Sequence, residues 1–571
     1  MANKLKPQDI YELLDGYNSE LDTLDDSDDE QVPNELHQMN EEGKFPNEVL
    51  ETLLAEFDTT ETFFENETND EPNAEVDLNL NYTHQVLNYF DKILRMDVTA
   101  KNEIKWVSQP FVPPKLSIDD IMQDLPIYID IPSPLHYFNR YFSDSDFENM
   151  ALYTNMYAHQ NTSSWKKNTD KYEIRTFIAL HILTGCLRFA RISMYWDTFI
   201  GINVFINNMS RNRFYSLRSN FHVIDNMKIP TNNKDRFVKV RPMFDCVLKR
   251  CRELVKERNL SIDEQIVPFT GHLNVKQYCK GKPNPWGIKI FMLCGASGVI
   301  YDFIIYQGSE TEFCPQFKNK FGLGASVVLQ LTEHVEENKH FLFFDNYFAS
   351  YNLFEILLQR KIFAASTIRV DRFSKPPFMN DKVLASIGKG ATHEIRNDKN
   401  TIALLKWYDN KSVHMASNFI ASGNVDHVER WDKKIKEYDT VERPEVIQLY
   451  NKSMGGVDKI DQLIAYYRIF LKSKKWTLRM VFHSIDMAIC NSWLEYLQDC
   501  NLLGIEKKKQ MDLLHFKMRL ADNLINLGRC DNIKRPRGRP TSASTPSPSP
   551  PFKKKKRQKN QSRIKKPVTI I

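Results

Sequence analysis

The sequence predicts an α/β protein with a mixed sheet in its middle, helices on either side of that stretch, and a charged tail at each end. Three observations carry the prediction. Along the 571 residues the apolar pattern shifts from helical spacing to strand-length runs near residue 260, and back near 458. Residues 1–80 hold 24 Asp and Glu against 3 Lys, whereas residues 529–571 hold 14 Lys and Arg against the single acid Asp531. With 42% apolar residues, the chain has enough material for a large core and more than one domain.

Residues 1–125 are acidic, Asn-rich and without sustained period, which predicts disorder; Ile10–Leu14 and Val49–Phe57 are short apolar exceptions. Residues 126–260 read as a helical region. In Tyr172–Cys186 the residues Ile174, Phe177, Ile178, His181 and Ile182 fall near one face, and Gly185 is placed to stop the helix. Arg211, Arg213 and Arg218 lie in MSRNRFYSLRSNFH, a mixture of bases and aromatics that fits DNA-backbone contact or aromatic packing equally well.

From 261 to 370 strand and helix alternate. Trp286–Cys294 and Val299–Tyr306 flank Gly295-Ala296-Ser297-Gly298 and predict a hairpin. A helix follows over Ser326–Asn338, then the apolar run His340–Phe344 closed by Asp345, a helix over Tyr351–Arg360 and a strand over Phe363–Ile368. An antiparallel portion followed by parallel crossovers is what a ribonuclease-H-like sheet requires. A dinucleotide-binding sheet fits worse, because Gly322-Leu323-Gly324 precedes no suitable phosphate-binding turn. Residues 371–440, with runs at Thr401–Trp407 and Val413–Ile420, read as an inserted, mainly β subdomain. Residues 441–505 supply the second part of the core and a helical region from Asp458 through Trp476–Leu502. Residues 506–571 read as a basic tail that is Pro/Ser/Lys-rich from Lys534.

The nine cysteines form no CxxC pair, so no zinc site is expected, and the absence of a disulfide framework fits a reducing compartment. The start MANKLKPQDIYELLDG lacks the apolar core of a signal peptide, and no uncharged run has the roughly 18 apolar residues of a membrane span. The expectation is a soluble, intracellular protein, and the acidic head and basic tail point to nucleic acid as partner.

The chemistry lies in four aspartates. Asp263 is placed at the start of the first core strand, and Asp345 ends the most apolar one. Asp458 and Asp461 lie three apart in GGVDKIDQL, on one face of a helix. Carboxylates at two strand ends with a third on a later helix suit phosphoryl transfer with two divalent ions. Taken singly, each aspartate reads more readily as a strand end or a cap.

The surrounding text resembles the piggyBac transposase family, over roughly Ser133 to Leu502. The segments that carry the resemblance are SPLHYFNRYF, MSRNRFYSLRSNFHVIDN, SIDEQIVPFTGHLNVKQYCKGKPNPWGIKIF, HFLFFDNYFASYNLFEILLQRKIFAASTIRVDR, the WYDNK at Trp407–Lys411 and YNKSMGGVDKIDQL. The resemblance implies a ribonuclease-H-like catalytic core with Asp263, Asp345 and Asp458 as metal-holding catalytic residues and Asp461 as a further acidic one. It implies two Mg²⁺ (or Mn²⁺) ions, strand nicking, hairpin formation and joining to TTAA target DNA, by a homodimer. Region 126–260 then takes DNA binding and dimerisation. Arg369 and Arg372 become phosphate clamps, with Lys276 and Lys289 as further bases; Trp476 reads as a core residue before a stacking one.

The chain departs from the family at its end, where many members carry a cysteine-rich zinc domain. Here Lys534-Arg535-Pro536-Arg537-Gly538-Arg539-Pro540 resembles an AT-hook, an extended RGRP core suited to the narrow minor groove of A·T-rich DNA. Lys553–Arg557 (KKKKR) fits nuclear import. The expected protein is a nuclear DNA transposase; the alternative is a domesticated, non-catalytic DNA-binding or chromatin-associated descendant of one.

Overall fold

A computed structural model describes residues 89–530, apart from 117, 122–129, 162–164, 280–281, 283, 312 and 433–435. The tail motif at Arg535–Arg539, the KKKKR run and the segments Ile10–Leu14 and Val49–Phe57 therefore lie outside the described residues.

Among the described residues, the helices that lead up to the central strands are α1 (Pro134–Phe138), α2 (Asp144–Asn161), α3 (Lys171–Cys186), α4 (Asn203–Asn208), α5 (Arg211–Asn220) and α6 (Arg241–Glu253), after a helical stretch at 89–94. Helix α3 starts where Asp170 accepts the Glu173 backbone N–H at 2.8 Å. The predicted face is buried, but so are Ala179, Leu180 and Leu183, so the helix is enclosed on all sides. His181 stacks on Phe214 and Phe482, and burial pushes its imidazole down to about 3, so it is a neutral core residue. Gly185 does not end the helix. A Cβ there would lie 2.5 Å from the Tyr467 carbonyl oxygen, so glycine is needed because another segment crosses at that point.

The sheet is built from β1 (Trp106–Val107), β2 (Asn259–Pro268), β3 (Gln277–Tyr278), β4 (Trp286–Gly295), β5 (Ile300–Ile305), β6 (Phe341–Phe344), β7 (Phe363–Thr367), β8 (Thr392–Asn397), β9 (Ala403–Tyr408) and β10 (Ser412–Ser417). Its order is β1-β8-β9-β10-β7-β6-β2-β4-β3, with β5 also on β4. Strand β2 runs parallel to β6 and antiparallel to β4; β6 and β7 are parallel. Helices α7 (Pro315–Leu331) and α8 (Tyr351–Gln359) make the crossovers on either side of β6. Helix α7 begins earlier and ends earlier than the predicted Ser326–Asn338, because Pro315 opens it and the chain turns at 332–339.

Three sequence expectations give way. Residues 371–440 are β-rich but not a separate insert. Strands β8, β9 and β10 continue the central sheet, with β10 on β7, and only the hairpin β11 (Asp426–Asp432) with β12 (Glu437–Arg443) forms its own two-stranded sheet. The expected disorder of 1–125 fails from residue 89 on: Ile93 is fully buried, β1 pairs with β8, and the Trp106 indole N–H donates to the Phe373 carbonyl at 3.0 Å. The tail does not start at 506. After α9 (Asp381–Ile387), α10 (Glu445–Ser453), α11 (Gly456–Tyr466) and α12 (Trp476–Leu502), the chain forms α13 (Leu513–Cys530), which buries Phe516, Leu520 and Leu524. Each such side chain contributes about 1.5–3 kcal/mol of transfer energy, enough to hold an amphipathic helix on a core. Helix α12 is buried along most of its length and runs through that core. Among the described residues no helix is long and apolar enough to cross a membrane.

Candidate active site

The parallel register of β2 and β6 sets the site. Its last pair is Ile262 with Phe344, so the next residues, Asp263 and Asp345, stand at the same level on neighbouring strands, which lie about 4.8 Å apart. Asp263 is not at the start of its strand. It is the fifth of ten residues, at the level where β6 stops while β2 runs on against β4. Asp345 caps its own turn, its Oδ1 accepting the Tyr347 N–H at 2.8 Å. The Oδ1 of Asp263 accepts the Glu264 N–H at 2.8 Å.

Helix α11 brings the second pair. A Cβ at Gly456 would collide with the Gly295 carbonyl and sit 2.5 Å from Ser261 Oγ, so glycine lets the helix start directly against β2 and β4. Asp458, in the first turn, is 73% exposed, and Lys282 Nζ lies 3.9 Å from its Oδ1. Asp461 faces inward. The Gln265 amide donates to its Oδ1 at 2.6 Å, and the other end of that amide meets His483 Nε2 at 2.7 Å. With Gln265 Nε2 donating, His483 must donate through Nε2, a tautomer assigned from the hydrogen bonding. Burial drives the His483 imidazole well below its ordinary range, so it is neutral.

Burial pushes the Asp263 carboxyl up to about 7, with Glu264 and Asp345 adding repulsion and Lys282 opposing it. Burial likewise raises Asp345, and raises Asp461 to about 6 against the Gln265 hydrogen bond. Burial also lifts the Tyr450 hydroxyl, which bonds to Thr367 and feels both Asp345 and Asp263. Burial pulls the Lys282 ammonium down, and the charges of Asp263 and Asp458 more than offset it.

These are hard oxygen donors crowded with like charge, the donor chemistry that Mg²⁺ and Mn²⁺ take. Among the described residues, however, no three acidic, His or Cys side chains already stand close enough together to share one ion. Asp263 and Asp345 are preset by the sheet, and Asp458 stands further out beside Lys282.

The predicted bases are placed more variously. Arg369 Nε donates to Asn346 Oδ1 at 3.0 Å, and Arg372 donates to the carbonyls of Asn346, Tyr347 and Ala349, so both brace the loop behind Asp345. Both are exposed at the rim. Lys276 bonds the Gly271 carbonyl at 3.0 Å, and Lys289 sits over the Phe291 and Tyr347 rings. Arg213 forks onto Glu173 and Arg218 bonds the Lys472 carbonyl, while Arg211 is exposed. Trp476 packs edge-on against Phe237. Sequence reasoning missed Gln265, Lys282, His483 and Tyr450. Lys282 and Tyr450 lie within the segments that carry the family resemblance, and Gln265 had a local signal as well, a polar residue two positions from Asp263 in an apolar strand and hence on the same face.

A family model described as Transposase IS4 matches residues 133–493. PiggyBac transposable element-derived protein 3 of Homo sapiens is 31% identical over 399 residues, which cover 68% of this chain and 64% of that protein. PiggyBac transposable element-derived protein 2 of Homo sapiens is 27% identical over 401 residues, with the same coverage. The chain thus spans just under two thirds of the length of these relatives. Among solved structures, a piggyBac transposase in a synaptic complex with hairpin DNA matches with a TM-score of 0.60 at 23% identity, over 72% of this chain and 83% of that one. That is a likeness of fold.

Proposed function

Because the chain belongs to the Transposase IS4 family, among its piggyBac-type members, we propose that it is a metal-dependent DNA transposase that cleaves and joins strands at TTAA sites. The observation that carries this reading is the shared level of Asp263 and Asp345 on two parallel strands, with Asp461 on a helix packed against them. The strand order β5-β4-β2-β6-β7 supports a ribonuclease-H-like core. Asp263, Asp345 and Asp458 would hold two Mg²⁺ or Mn²⁺ ions, whose charge activates the attacking oxygen and stabilises the leaving one. Gln265 orients Asp461, Lys282 adds positive charge beside the entering phosphodiester, and Arg369 and Arg372 hold backbone phosphates at the rim. The protein acts in the nucleus as a homodimer. Arg535, Arg537, Gly538 and Arg539 enter the minor groove of A·T-rich DNA, a role the sequence supports.

The test is incubation of the purified full chain with Mg²⁺ and DNA bearing candidate repeat ends beside TTAA. Nicked and joined products are expected, and none from Asp345→Ala. Binding without product on every DNA tried would overturn the enzymatic half. It would leave the second reading, a domesticated DNA-binding protein, which the "element-derived" relatives favour.

A further inference from the structure

A cleft of about 430 Å³ lies between helix α7 and the loop that follows Asp345. Its shape comes from two glycines. At Gly322 the helix breaks, with φ 80° and ψ 166°, a conformation that other residues rarely adopt. At Gly324 a Cβ would lie 2.5 Å from the Tyr347 carbonyl oxygen and 3.0 Å from Phe348 Cα, so α7 closes on the loop only because no side chain intervenes.

The lining is cationic and aromatic. Lys101, Lys320 and Arg372 border the cleft, no Asp or Glu among the described residues does, and Tyr347, Phe321 and Tyr351 also line it. Lys320 Nζ donates to the Leu94 carbonyl at 2.8 Å, a contact that leaves its charge uncancelled, and Lys101 is exposed. The cleft is joined to the aspartate pair through one residue. Tyr347 donates its N–H to Asp345 at 2.8 Å and accepts from Arg372 on its carbonyl at 2.6 Å; it lines the cleft while its ring also stacks along Phe291.

We propose that this cleft is a nucleotide subsite, which takes one phosphate and the stacked base of the DNA strand running past Asp345. Clustered cations without a neighbouring acid select a phosphate, and aromatic faces accept any base without reading its sequence. The volume lies in the roughly 300–1,000 Å³ range of small-ligand sites, enough for one nucleotide and too little for a duplex. The assignment of the strand rests on the proposed transposase reading; the assignment of a phosphate and a base rests on the cleft alone.

The experiment uses the full chain and short oligothymidylate without divalent metal, with binding followed by fluorescence anisotropy across a salt series. Lys101→Ala combined with Lys320→Ala removes two of the cations that would neutralise that phosphate. The slope of log affinity against log salt should then become shallower by about 0.7, the value for one neutralised phosphate on a single strand. Hydrogen exchange on the parent should show new protection at 320–325 and 347–352 when the oligonucleotide is added, and none in the double variant. An abasic oligomer should keep the salt slope and bind several-fold more weakly. An unchanged slope with no protection overturns the subsite. Equal protection by a free deoxynucleoside monophosphate overturns the assignment to a DNA strand. A parent that nicks with Mg²⁺ but shows no cleft protection sinks the subsite and spares the function. A parent that never nicks but protects the cleft does the reverse.

Discussion

At the seam of α12 and α13, Asp486 is held as a structural ion. Its Oδ1 receives Lys517 Nζ at 2.7 Å, its Oδ2 the Ile469 N–H at 3.0 Å, and both partners of the pair are 1% exposed. At the site, Asp263, Asp345 and Asp461 are partly buried and are met by backbone N–H groups and the amide of Gln265. One region cancels its charge on the spot, and the other leaves it outstanding. A cluster of carboxylates raised by burial, with Lys282 as its nearby cation, is costly to keep in a fold unless a positive charge arrives from outside.

The largest test of that contrast is Lys517→Met. It strands the Asp486 charge and should cost about 3–5 kcal/mol in denaturant unfolding, whereas a cost below about 1 kcal/mol would erase the distinction. Asp263→Asn should act in the opposite direction. The Asp263 carboxyl titrates near 7 in the fold, above the 3.8 it has ordinarily, so the folded state binds the extra proton between those values. The stability lost is therefore absent at pH 4, grows as pH rises to 7 and is complete above it. The variant should gain about 2–4 kcal/mol over the parent at pH 8 and nothing at pH 4, by thermal unfolding at both values. The smallest effect comes from outside the chain. Mg²⁺ or Mn²⁺ at a hundred times its dissociation constant should stabilise the parent by about 2.7 kcal/mol, more at pH 8 than at pH 5. Equal stabilisation of Asp345→Asn would show that the ion binds elsewhere.

Local pattern carried much of this. The apolar run ending at Asp345, the hairpin around Gly295–Gly298 and the long helix at Trp476 all fall where period and turn residues put them. What local pattern lacks is pairing between distant segments. Strands β8 to β10 have the length and alternation of any β subdomain, and only the pairing of Met415 with Thr367 makes them part of the central sheet. Helix α13 was hidden by its charge: Lys517 and Arg519 look like tail until Lys517 finds Asp486. The aspartates were visible through their motifs, while His483 enters the site from a segment that carries no sign of it.

The bond between Gln265 and Asp461 spans 196 residues of sequence. At about 5–20 residues per second of synthesis, a ribosome takes roughly 10–40 s to make that stretch. During that interval the newborn chain acquires its second sheet aspartate but not yet the helix that completes the set. If the finished site cuts DNA, the unfinished one is unarmed, and the site becomes competent only once α11 has left the exit tunnel.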